Sequence, residues 1–146
     1  MKWLKTSLML MLLLPLLACE APEGAETLIR KQLDEIVAAV EAKDMDRFVR
    51  PIAADFSAER MDRRALRWLV FSQWQRHESI GVQLGDIHVE VHESVDPPRA
   101  TVTFQALLSG GSLLPESVGW YSVKSGWRED TKENWRMISA QWEKKI

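Results

Sequence analysis

Two periodicities divide the chain. Leu28, Ile29, Leu33, Ile36, Val37 and Val40 recur every three or four positions, with Arg30, Lys31, Asp34, Glu35 and Glu41 between them. That is the stripe of a helix with one buried side. Asp44 then stands as an N-cap for a short second helix carrying Phe48, Val49 and Ile52. Its carboxylate can accept a backbone N–H that the first turn leaves unpaired. Pro51 distorts or ends that helix, having no N–H to donate. Asp62 is the corresponding cap for a third helix with Leu66, Leu69, Val70 and Trp74 on its apolar side.

Past residue 85 the period falls to two. Ile87, Val89 and Val91 alternate with Asp86, His88, Glu90 and His92, as in a half-buried strand. Asp96-Pro97-Pro98 makes a turn, and Ala100, Val102, Phe104, Ala106 and Leu108 alternate again. A longer loop follows at Gly110-Gly111-Ser112, ending near Pro115. Residues 118–127 and 135–142 read as two further strands, joined around residues 129–134. The expected fold is α+β: three N-terminal helices packed on a curved, mainly antiparallel sheet of about four strands.

The first residues follow neither pattern. Lys2 and Lys5 precede the run Leu8-Met9-Leu10-Met11-Leu12-Leu13-Leu14, which Pro15 breaks, and Glu20 and Glu23 come soon after. The run is shorter than the roughly 20 residues that cross a bilayer. A basic start, a short apolar run and a small residue before the cut describe an export leader. Within it, Leu16-Leu17-Ala18-Cys19 resembles the lipobox of bacterial lipoproteins. The resemblance implies a signal peptide at residues 1–18 and Cys19 as a lipid-modified first residue. Acyl chains such as palmitate would then hold the protein on a membrane, each buried methylene contributing about 0.8 kcal/mol. Glu20 stands where an aspartate commonly marks inner-membrane retention, so the implied place is the bacterial cell envelope, outer membrane, facing the periplasm. The competing reading is a plain secretory peptide cut elsewhere. Residues 19–25 form the lipidated cysteine and a short acidic tether, reaching at most about 25 Å when extended. The domain of residues 26–146 would therefore work close to its membrane.

Length and composition narrow the picture. The chain has 146 residues, enough for one domain with its own core. The net charge is −2 and becomes more acidic once Lys2 and Lys5 are removed, which argues against a nucleic-acid partner. Cys19 is the only cysteine, so no disulfide staples the domain. Seven tryptophans are a heavy load. Trp120 and Trp127 differ in strand parity, as do Trp135 and Trp142, so they cannot all enter one core face without a bulge.

The order of elements and the segment Trp135-Arg136-Met137-Ile138-Ser139-Ala140-Gln141-Trp142, after a strand running from Tyr121 to Trp127, resemble the nuclear transport factor 2-like superfamily. SnoaL-like and ketosteroid-isomerase-like domains belong to that superfamily. The resemblance implies a cone, with the sheet wrapped over the helices and a pocket at the wide end. Such a fold hosts isomerases, dehydratases, plain binders and dimerising scaffolds, and does not choose among them. Isomerase-type members need a carboxylate base and a tyrosine or protonated acid for an enolate. Tyr121 is the only tyrosine, and the strand carboxylates Asp86 and Glu90 share the outward parity of His88 and His92. Tyr121, Trp120, Trp74 and Phe104 are the candidate pocket residues.

His88, Glu90 and His92 could in principle hold a metal, but on a strand the outer pair stand about 13 Å apart and do not converge. His77 has no second ligand at suitable spacing. Neither metal nor cofactor is expected. Arg60, Arg63, Arg64 and Arg67 form a basic stripe that suits phosphates, lipid headgroups or an acidic partner, or else is a solvated face beside Asp55, Glu59 and Asp62. No Ser-His-Asp spacing, phosphate-binding glycine loop or paired-cysteine motif is present. The sequence thus points to an anchored envelope protein that binds a small apolar ligand or a protein partner without catalysis. The alternatives are an isomerase- or dehydratase-like enzyme and a homodimerising scaffold.

Overall fold

The computed structural model describes residues 23–110, 118–131 and 133–145. The leader, Cys19 and the loop after Gly110 lie outside the described residues.

Helix α1 (Ala25–Ala42) buries Ile29, Leu33 and Ala39. It ends where Lys43 turns into the left-handed region at φ 53° and gives its N–H to the carbonyls of Ala39 and Val40. Asp44 caps α2 (Met45–Val49), its carboxylate accepting the Arg47 N–H at 3.1 Å. Asp62 caps α3 (Arg63–Arg76) in the same way, accepting from Ala65 at 2.8 Å. Both caps stand where the sequence places them.

The sheet is larger than expected, with six strands among the described residues rather than about four. Ile52 does not continue the second helix; it opens β1 (Ile52–Ala58), which turns back into the two-residue β2 (Met61–Asp62). The remaining strands are β3 (Ile80–His92), β4 (Arg99–Gly110), β5 (Val118–Thr131) and β6 (Asn134–Lys144). Their order is β2-β1-β6-β5-β4-β3, antiparallel throughout except for β1 against β6. The alanine-rich sequence of β1 has little strand preference of its own. Pairing with β6 and burial of Ile52, Phe56 and Ala58 impose the extended form.

Two bulges decide what the sheet presents to the helices. In β3 the register against β4 shifts between Gly85 and His88, with Asp86 at φ 51°. Val82 and Leu84 therefore share a face with Ile87, Val89 and Val91 despite the change of parity. In β6 Ser139 pairs with Gly126 while Met137 pairs with Trp127, which leaves Ile138 as the extra residue. The inner face thus receives Trp135 and Met137 before the bulge and Ala140 and Trp142 after it. This is how tryptophans of opposite parity come to serve one face.

One buried cluster gathers Ile29, Leu33, Phe56, Val102, Trp127 and Trp135, and a second joins Ala39, Phe48 and Trp74. Ser125 is the buried polar residue of this core, accepting from the Trp127 indole at 2.9 Å and donating to the Val102 carbonyl at 3.3 Å. Helix α1 also covers the open edge of β3. Glu41 accepts the Val82 N–H at 2.9 Å and Arg30 donates to the Ile87 carbonyl at 3.0 Å, occupying groups that an edge strand leaves unpaired.

Candidate functional site

The concave face of the sheet does not close onto the helices. A cavity of about 450 Å³ lies between α1, α3 and strands β3 to β6. That volume falls in the range of small-molecule clefts, about 300–1,000 Å³. Val37 and Val40 of α1 and Leu69 and Val70 of α3 form the helical wall, and Val82, Phe104 and Val123 the sheet wall. Two small residues keep space open. Ala106 leaves the middle of β4 shallow, opposite Tyr121 in the ladder. Gly119, two residues before Tyr121 on the same side of β5, gives the phenol ring room to lie back, since a Cβ there would stand 2.6 Å from Tyr121 Cε2. Trp142 borders the cavity while remaining 42% exposed.

Polar side chains are few among the described lining residues: Gln73, Tyr121 and the indoles of Trp74 and Trp142. Among the described residues that line it there is no carboxylate, histidine, cysteine, lysine or arginine. Trp74 is the deepest of the polar set at 6% exposure, and its Nε1 is buried without an acceptor among the described residues. Its ring meets Phe48 edge to face at 6.5 Å, and Lys43 donates to the carbonyls of Trp74 and His77 at 3.0 and 2.5 Å. These contacts fix the indole, and satisfy the last carbonyls of α3.

The structure brings Tyr121, Trp74 and Phe104 together at the cavity and leaves Trp120 out. Trp120 lies on the opposite face of β5, 45% exposed, donating to Gln105 at 3.0 Å. Asp86, His88 and Glu90 are exposed, and His92 approaches Thr101 Oγ1 at 3.3 Å. Among the described residues no group of three potential ligands could hold a metal ion. His77 caps the end of α3.

The arginine stripe does not survive as one surface. Arg63 turns inward and donates to the Val49 carbonyl at 3.0 Å, and Arg60 precedes α3 in the β1–β2 turn. Arg64 and Arg67 remain exposed on the helix. The valines and leucines of α1 and α3 that line the cavity read in the sequence as core, because an apolar stripe looks the same whether it packs or borders a void. Among the described residues no helix is long and apolar enough to cross a membrane.

No protein-family model matches the sequence, and no curated protein matches it. Solved structures do. An NTF2-like protein of unknown function from Pseudomonas putida KT2440 superposes with a TM-score of 0.65 at 17% identity, over 82% of this chain and 85% of its own. The fold is nuclear transport factor 2-like. Hexachlorocyclohexane dehydrochlorinase LinA-type3 from Novosphingobium barchaimii LL02 shares it, with a TM-score of 0.64 and 11% identity over 83% of this chain and 86% of that one. Bdellovibrio bacteriovorus Bd1075 gives a TM-score of 0.68 at 12% identity over 81% of this chain, which spans only 40% of that longer protein. At these identities the likeness concerns the fold alone.

Proposed function

We propose that this chain is a lipid-anchored protein of the bacterial envelope whose cavity holds a small, largely apolar molecule carrying one hydrogen-bond acceptor, without converting it. The observation that carries this reading is a cavity lined almost wholly by aliphatic and aromatic side chains, with Tyr121 on its wall to offer a hydroxyl to the ligand's acceptor. The make-up of the lining supports binding rather than enolate chemistry. Among the described residues Tyr121 has no carboxylate beside it in the lining, and Asp86 and Glu90 lie on the outer side of β3. The anchor rests on Cys19 and the apolar run before it.

Titration with 2-acetylnaphthalene, an apolar bicycle with one carbonyl, tests the cavity. Saturable binding that Ala106→Phe abolishes is expected. Absence of binding, or binding indifferent to that substitution, would sink the cavity reading. For the anchor, Cys19→Ser should move the protein from the membrane to the soluble fraction of a bacterial host, and continued membrane attachment would refute the lipobox.

A further inference from the structure

Helix α3 is unusual in its charge. It carries four arginines and no acidic residue, and only Arg63 is turned inward to a protein carbonyl. At 100° per residue, Arg64, Arg67, Trp68, Phe71 and Gln75 fall within one outward wedge of the helix. All five are exposed. Trp68 is 70% exposed, the most of any large apolar side chain among the described residues, and its ring lies 5.8 Å from that of Phe71. Among the described residues neither Arg64 nor Arg67 joins an ion pair, although the same surface pairs Arg30, Arg47, Arg128 and Arg136 with carboxylates.

We infer that this face of α3 docks on an anionic lipid bilayer. Two guanidinium groups without an ion pair among the described residues stand beside two aromatic rings on one stripe, and each half needs a different medium. The guanidiniums suit phosphate oxygens, which they can grip with paired N–H groups. The rings need an apolar phase within a side chain's length of that phosphate. A bilayer interface supplies both layers in this order, and an amphipathic indole settles at headgroup depth. A nucleic-acid duplex offers the phosphates but no apolar layer beneath them in which both exposed rings could be buried. The inference is independent of the cavity and of the lipid anchor, and its test uses neither.

Residues 23–145 contain all the described helices and strands and close a buried core, so the chain from Glu23 onward serves for the test. It is sedimented with vesicles of phosphatidylethanolamine and phosphatidylglycerol and, separately, of phosphatidylcholine alone. Partition onto the anionic vesicles should be at least tenfold stronger and should weaken with salt. Since one basic side chain near such a surface is worth about fivefold, the pair Arg64→Glu and Arg67→Glu should lower it more than tenfold. The pair Trp68→Ala and Phe71→Ala should do the same, and a thermal melt of each variant should match the parent. Partition unchanged by both pairs would overturn the inference. So would failure to bind anionic vesicles at all, an outcome that would favour an acidic protein as the partner of this face.

Discussion

Arg128 on β5 reaches over the intervening strand β6 to grip Asp55 on β1, with two hydrogen bonds of 2.8 and 3.0 Å. The same guanidinium holds Asp130 at 2.7 Å, and Asp130 also pairs with Arg136 of β6 at 3.2 Å. The pairing of β1 with β6 is parallel and irregular, so this clamp adds a fixed point where the ladder is weakest.

The hydrogen bond from Arg128 holds the Asp55 carboxyl below the usual carboxylate range, opposed in part by burial. A depressed folded-state value means stability that is present above the unfolded value, near pH 4, and lost as pH falls through the folded one. Asp55 is largely exposed, so solvent screens the pair. Asp55→Asn should cost up to about 1 kcal/mol at neutral pH and flatten the loss of stability below pH 4. Thermal melts from pH 2 to 7 on parent and variant would check both.

Ser125→Ala should be more costly although it removes a single oxygen. The Trp127 indole would lose its acceptor inside the core, at a cost of about 1–3 kcal/mol. Urea denaturation measures it, and Ser125→Thr should restore part of the loss by returning a hydroxyl.

Tyr121→Phe separates the two halves of the proposed ligand. Binding of 2-acetylnaphthalene should weaken about tenfold, corresponding to a hydrogen bond of about 1.4 kcal/mol, while 2-ethylnaphthalene should bind as before. Equal losses for both compounds would assign Tyr121 to shape alone.

Gly119→Val should act on the cavity through Tyr121. The added side chain occupies the space against which the phenol ring rests and pushes the ring toward the void. Affinity for 2-acetylnaphthalene should fall, and the near-ultraviolet dichroism of the aromatic residues should change. An unaltered titration would show that the ring finds another resting place.

Much of this fold is legible in the chain because local chemistry specifies it. Asp44 and Asp62 cap their helices whatever the tertiary context, and the alternation of Ala100 to Leu108 has one reading as a strand. Strand β1 is illegible for the opposite reason: the alanines after Ile52 have little extended preference, and pairing with β6 holds them in a strand. The outward place of Trp120 is readable from parity in hindsight, for it alternates with Tyr121 along β5. The cavity is not readable. Whether Val40 and Leu69 touch each other or face empty space depends on how far the sheet curves, and no single residue encodes that distance.

The bulge at Ile138 gives β6 a vulnerability of register rather than of chemistry. Its outward side chains can be exchanged with little consequence, but Trp135 and Trp142 share a face only while one residue between them stays out of the ladder. Were Ile138 to take a regular place, Gln141 would turn inward and Trp142 outward, stripping the cavity of its rim with composition untouched. Loss of Ile138 would instead leave an even ladder with both tryptophans inward, so descendants of this chain should keep either the bulge or a β6 one residue shorter.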